Sequence, residues 1–303
     1  MPTGRLAFSG YIPGLGALAV DGDGALYSAG TDVSGTLRTT DGFFDPTHSG
    51  QSDVYVAKLE LESAQTLSLT CVEHGASMTP GEVAPGEIVS LFGTGLGPDV
   101  PAGLAIENGV VQGEVAGVRA LFNGVPAPLL FVWFNQINAV APYALDGAES
   151  VRVEVEYDGK VSNALELPVV KANPGLFSFN ATGNGLGALF NQDGTKNSAD
   201  NPAPAGSVIQ LFGTGEGQTT PAGVDGLVSP ESVASLARPL EDVKVQIGGA
   251  NAEVTYAGAA PGLVSGVLQV NVRIPPGTPS GEAALQVTIG GRLNRQAVTV
   301  SVK

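Results

Sequence analysis

One cysteine, two histidines and one tryptophan stand in 303 residues, and no run of basic residues occurs anywhere in the chain. A lone Cys71 excludes an intrachain disulfide. With only His48 and His74 beside it, a zinc site of the usual Cys and His type is left without enough ligands. Charged residues make up 14% and the net charge is −15. An acidic surface without Lys and Arg clusters argues against nucleic acid and against anionic membrane as partners. Its plainer role is solubility. No stretch of 18 apolar residues exists, so no helix is expected to span a bilayer. The opening "MPTGRLAFSG" lacks the basic flank and apolar core of a signal peptide. On sequence alone the chain reads as cytosolic, or as a processed or partial form of something longer.

What is abundant is turn-forming and apolar. Gly (43) and Pro (21) fill about a fifth of the chain, while apolar residues reach 43%. Val, Thr, Leu and Ile recur in short alternating runs, the pattern of strands joined by tight turns. Over residues 1–61 the pieces "LAFSGYI", "GALAV", "ALYSAG" and "VYVAKLEL" are separated by Asp21-Gly22-Asp23-Gly24, Asp41-Gly42 and Ser49-Gly50. Asp-Gly between short apolar runs predicts hairpins. Four strands in this length predict a β-meander the size of one propeller blade. Such a sheet has two bare edges and little core of its own, so it needs cover from elsewhere.

A duplication organises the rest. "PGEIVSLFGTGLGPDVPAG" (85–103) returns as "AGSVIQLFGTGEGQTTPAG" (205–223), with ten of nineteen positions identical. Three further pairs keep the same order: 118–129 with 243–254, 136–142 with 269–275, and 155–163 with 287–295. Two copies of one domain are expected, over 72–171 and 172–303. Each has about seven short strands and turn signals every 8–15 residues, the profile of an immunoglobulin-like β-sandwich. One exception is "SPESVASLARP" (229–239). Ser229 as N-cap, Pro230 at the first helical position and Pro239 as terminator predict a short helix there.

The glycines of "FGTGLG" invite a phosphate-loop reading. Such a loop needs a helix behind it, and a Walker loop needs Lys followed by Ser or Thr. Here Gly97 is followed by Pro98-Asp99-Val100-Pro101, and the second copy places Glu216 in the loop. The glycines therefore read as turns and close backbone approaches. Asp21-Gly22-Asp23-Gly24 lacks the further oxygen ligands of a calcium loop and reads as a turn. "NQDGTKNSADN" (191–201) offers Asp193, Asn197 and Asp200 to a cation, but Asp193-Gly194 is also a hairpin turn. Gln136 with Asn138, and Gln269 with Asn271, recur in both copies and are expected to satisfy backbone groups of nearby loops. Cys71, at the end of an apolar alternation, is expected to be a small buried hydrophobe.

Phe131, Trp133 and Phe134, in "LLFVWFNQ", occur in the first copy only. They are the candidate contact patch, or a platform for glycans, with a place in the core as the other reading. No catalytic constellation, cofactor motif or metal set is found, so the expectation is a non-enzyme without a cofactor.

The wording of two regions goes beyond pattern. Asp21, Gly24, Tyr27, Gly30, Thr31, Thr39, Thr40, Gly42, Phe43, Asp53, Val56, Ala57, Lys58 and Leu59 fall where the bacterial SBBP-type β-propeller repeat has them. The N-terminal segment resembles one such blade. Residues 72–303 resemble the C-terminal domain family first noted in Solibacter-type acidobacterial proteins. The carrying motifs are "APGEIVSLFGTGLGP", "FNGVPAPLLF", "QINAVAPY", "NPGLFSFN", "NQDGTKNSADNPA", "GSVIQLFGTGEG", "VQIGGANAEVTYAGAAPGL", "LQVNVRIP" and "GEAALQVTIGG". The chain departs from that family at "CVEHGASMTPGE", where members open with an Asn-Ala-Ala-Ser-like stretch. The resemblance implies an extracellular or cell-surface location and brings no activity. The resulting expectation is a structural or adhesive protein. It would act through contacts with copies of itself or other surface proteins, extending to a filament or array. The alternative is a carbohydrate-binding module of a larger secreted protein.

Overall fold

A computed structural model describes residues 15–20, 26–32, 53–59, 66–232 and 235–303. The protein is all-β, with 52% strand and 2% helix. It divides into two compact units, Met1–Gln65 and Thr66–Lys303.

The first unit holds strands β1 (Leu15–Val20), β2 (Leu26–Asp32) and β3 (Asp53–Leu59). They form one antiparallel sheet in that order, with Leu18 opposite Ser28 and Ser28 opposite Ala57. Leu18, Val20, Val54 and Val56 are exposed. The strand expected over "LAFSGYI" and the turns at 21–24, 41–42 and 49–50 lie outside the described residues.

The second unit opens with β4 (Ser68–His74), β5 (Ile88–Thr94), β6 (Val118–Phe122), β7 (Leu129–Val132), β8 (Gln136–Val140), β9 (Ser150–Tyr157) and β10 (Leu165–Pro168). One sheet runs β4–β5–β8–β7, and a second is built on β6, β9 and β10. Both sheets contribute to one core: Leu69, Leu91, Leu129 and Ile137 from the first meet Val118, Phe122 and Val153 from the second. Strand periodicity sorts the side chains. In β9, Val151, Val153 and Val155 are buried, while Arg152 and Glu154 alternate outward. Glu156, directly opposite Arg119, forms a cross-strand ion pair at 2.5 Å.

The remaining strands are β11 (Val208–Thr214), β12 (Val243–Ile247), β13 (Ala250–Ala259), β14 (Leu268–Arg273), β15 (Gly281–Ile289) and β16 (Val298–Val302). Their neighbour order, β11–β14–β13–β12–β15–β16, repeats that of the first half strand for strand. One difference is instructive. In the first half the chain breaks at Ala127-Pro128, between a short strand at Val125–Pro126 and β7. Its counterpart β13 runs unbroken and joins both layers, bending at a register shift between Val254 and Tyr256. The hairpin before it turns on Gly248-Gly249, as the first half turns on Asn123-Gly124. All four residues have positive φ, as two-residue hairpins require.

One local expectation is overturned and a second is narrowed. Cys71 is half-buried and faces outward. A bulge between Leu69 and Cys71 shifts the pairing with β5, so Leu69, Val72 and His74 point inward and Cys71 does not. Of 229–239, residues 233–234 lie outside the described ones; none of the rest is α-helical, and Ser235, in 3₁₀ geometry, donates its N–H to the Ser232 carbonyl at 3.3 Å. Ser229 donates its N–H to Leu263 and accepts from Gly262, while Arg238–Pro239 pairs with Thr219–Thr220. Ser229 is thereby committed to bonds with a distant segment and does not cap a helix.

Candidate functional site

The densest polar chemistry lies where the two halves of the second unit meet. Four segments build it: 84–88, a single 3₁₀ turn at Tyr143–Leu145, the connector 171–175, and the loop after β11. It begins with a backbone group. Ile88, the first residue of β5, donates its N–H to Thr214 Oγ1 at 2.8 Å. Thr214 is fully buried, whereas its repeat counterpart Thr94 is exposed and bonds the Thr66 carbonyl.

Beside it, Glu87 is fully buried. Its Oε2 accepts from the Ala84 N–H at 2.8 Å and from Asn173 Nδ2 at 3.2 Å. The duplicate of Glu87 is Ser207, so this acid belongs to one copy only. Burial pushes its carboxyl well above the ordinary range, and nearby Glu216 and Glu82 push the same way.

His74 is buried next to it. Its Nδ1 accepts from the N–H groups of Ala76 (3.0 Å) and Ser77 (3.1 Å), so the ring proton sits on Nε2 and is donated to the Asn173 carbonyl at 2.9 Å. The ring is neutral. Its Nε2 lies 3.9 Å from Glu87 Oε1, but a neutral imidazole offers no charge to balance a carboxylate. Burial lowers the His74 pKa to about 4, in agreement with the bonding.

Glu216 is the second buried acid. In the repeat it stands where the first half has the buried Leu96. Tyr143 hydrogen-bonds its carboxyl, and Oε2 has no partner among the described residues. Burial raises its pKa to about 7. The Tyr143 ring lies between Gly86 and Gly223, one from each half, and a Cβ on either would overlap it. Its backbone N–H donates to Asp225 Oδ1 at 2.8 Å. Burial, with Glu216 and Asp225 nearby, pushes the phenol pKa upward.

The glycine-rich loop finds its role here. A Cβ on Gly213, Gly215 or Gly217 would overlap the carbonyl oxygen of Gly175, Asn173 or Lys171. An anion site presents N–H groups; this loop is sealed against carbonyls, and no helix follows it. Around the rim, Arg292 and Arg295 bond Glu82, and the two N–H donors of Gln296 Nε2 are shared among the carbonyls of Ala76, Leu176 and Gly183, all within hydrogen-bond distance. Main-chain bonds Val111 to Gly226 and Val228 to Gly109 extend the junction. A cavity of about 320 Å³ at its edge is lined by Asp146, Lys171, Gln218, Leu240 and Glu241. The arrangement can hold and release protons between two carboxyls.

The residues singled out by sequence lie elsewhere. Trp133 and Phe134 meet edge to face at 4.7 Å, both half-buried, and Trp133 Nε1 donates to the Asp99 carbonyl at 3.0 Å. Phe131 is half-buried on β7, opposite Asn138 and Gly103. The two Gln–Asn pairs do not serve loop backbones. Gln136 Nε2 donates to Asn138 Oδ1 at 3.0 Å, and Gln269 Nε2 to Asn271 Oδ1 at 2.8 Å. Residues two apart share a strand face, so each amide finds its neighbour first. In 191–201, Asp193 accepts from Thr195, while Asn197 is fully buried and bonds Asn191 and Ser301. Among the described residues no group of three or more His, Cys, Asp or Glu side chains is placed to hold a metal.

The junction acids escaped the sequence reading. The available signal was a mismatch inside the duplicated motif, where Glu216 replaces Leu96 and Glu87 replaces a Ser.

No family model and no curated protein matches the chain. Among solved structures, it aligns with a Bacteroides ovatus mixed-linkage glucan utilization locus protein, SGBP-B, in complex with a mixed-linkage heptasaccharide. Identity there is 12% and the TM-score 0.30, over 92% of this chain and 54% of the other. The chain thus spans about half the length of that protein. A tandem of titin Ig domains aligns at 8% identity and TM-score 0.21, over 73% of this chain and 91% of the other. A second titin tandem aligns at 9% identity and TM-score 0.21, over 93% and 94%.

Proposed function

We propose that this chain is a non-enzymatic structural protein of the cell surface or extracellular space, acting through protein–protein contacts. In this reading residues 72–303 are two tandem Ig-like β-sandwiches, kin to the Solibacter-type C-terminal domains, and residues 1–61 are one propeller-like blade. The observation that carries it is the junction. Buried side chains from each half satisfy backbone groups of the other, so the tandem is built to keep one orientation, as a spacer or array element must. Leu18 and Val20 are exposed on one face of the first unit's sheet and Val54 and Val56 on the other, which gives it apolar side chains on both faces to offer a second copy. Sedimentation velocity over a hundredfold dilution tests the contact role. Concentration-dependent oligomers are expected; a monomer at every concentration would remove self-assembly.

A second reading, a carbohydrate-binding module, is favoured by one feature. Phe92 and Phe131 share a sheet face with the amides of Gln136 and Asn138. Rings beside amides suit sugar faces and hydroxyls. Glycan-array binding lost in Phe131→Ala and Trp133→Ala is the expected result under this reading, and array silence would end it.

A further inference from the structure

We infer that Glu87 and Glu216 hold the two halves together as uncharged acids, so that the junction is a latch released by loss of protons as pH rises. The inference is independent of which partner the protein binds.

The geometry is that of neutral groups. A buried carboxylate needs a cation or a full set of donors. Glu216 has neither: its carboxyl meets its own backbone N–H and the Tyr143 hydroxyl, and Oε2 meets nothing among the described residues. Glu87 has two donors on Oε2, while Oε1 is left with Asn173 Nδ2 at 3.4 Å and a neutral imidazole at 3.9 Å. The groups facing the pair from the packed elements are His74 on β4, Glu82 ahead of the 84–88 turn, Tyr143 on the 3₁₀ turn, and Asp225 after the loop. Arg292 and Arg295, the nearby cations, are engaged by Glu82 at the rim. His74 cannot supply a charge while Nδ1 accepts two N–H bonds. Ionising either acid therefore places an unbalanced charge in a buried interface, and ionising both adds repulsion between them.

Separation of the halves lets water reach both carboxylates, so opening and proton loss are coupled. The opening equilibrium rises about tenfold per pH unit for each proton released. Among the described residues no other acid is buried, and in the first half Leu96 fills the place of Glu216.

Amide exchange on the full chain tests the latch. The reporters are the N–H groups of Ile88 and Val111, bonded across the junction to Thr214 Oγ1 and the Gly226 carbonyl. After correction for intrinsic exchange, their protection should fall at least about tenfold between pH 6 and pH 8.5. Val153 and Val287, in the two cores, should keep theirs. The double variant Glu87→Gln with Glu216→Gln should stay protected throughout. Should that variant fail to fold by circular dichroism, Glu216→Leu, which copies the first half, should reduce the pH response alone. Flat protection in the wild type overturns the inference. So does an equal loss in the neutral variants, or a loss at Val153 and Val287 that tracks the reporters.

Discussion

Replacing Glu216 by Gln changes one atom of a buried acid and should invert the usual cost of a core substitution. In the native protein its pKa is about 7, against an ordinary 4.5. Between those values the folded chain holds a proton that the unfolded chain has lost. Stability contributed by the group is therefore complete below pH 4.5 and falls as pH rises toward 7. At about 1.4 kcal/mol for each pH unit, the full loss is about 3 kcal/mol. His74 works in the opposite direction. Its native pKa is about 4 against 6.5, so its contribution is complete above pH 6.5 and is lost as pH falls toward 4. The two oppose each other between pH 4.5 and 6.5, and Glu87, its carboxyl also raised by burial, adds a further loss with rising pH, so the wild-type curve alone separates none of the three. The difference between Glu216→Gln and wild type isolates the acid. Measured by urea unfolding at each pH, that difference should shift in favour of the variant by roughly 3 kcal/mol from pH 4.5 to pH 8. A difference that stays constant over this range would refute a protonated Glu216.

The repeat supplies internal controls for the remaining predictions. Thr214→Val strands the Ile88 N–H in the buried junction and should cost about 1–3 kcal/mol, whereas Thr94→Val, at the exposed counterpart, should cost under about 0.5 kcal/mol; urea midpoints compare them. Gly215→Ala and Gly206→Ala both force a Cβ onto positive φ, 84° in each case. Only the first also drives that Cβ into the Asn173 carbonyl, so Gly206→Ala should cost about 1 kcal/mol and Gly215→Ala well over twice that in thermal unfolding. The Cys71 thiol, raised by partial burial and by Glu73 beside it, should alkylate more slowly than a free cysteine near neutral pH and speed up as pH rises beyond 9. Equal rates at pH 7 would contradict its placement.

Strands, hairpins and the repetition of strand order were legible because each rests on short-range chemistry. Alternating Val residues in "VRVEVEY", Asn123-Gly124 between two apolar runs, and the recurrence of "LFGTG" all announce themselves locally. What stayed hidden involved residues far apart in the chain. Ile88 and Thr214 are separated by 126 positions, and Glu87 and Asn173 by 86. Nothing in "PGEIV" alone says that its acid is buried by another half. Cys71 was misplaced because a bulge leaves no mark in an alternating pattern, and one extra residue reverses the face of all that follow. The 229–239 segment carried good helix signals in Ser229 and Pro230. At Ser229 itself the pairing with Leu263 outweighed them, as tertiary bonds routinely outweigh propensity, and the 3₁₀ geometry at Ser235 comes later in the segment.

Nitrogen-15 relaxation of the full chain at pH 6 bears most directly on the rigid junction. Core amides of both halves, such as Val153 and Val287, should report one rotational correlation time and one diffusion tensor. Two distinct tensors, with faster and independent tumbling of each half, would contradict it.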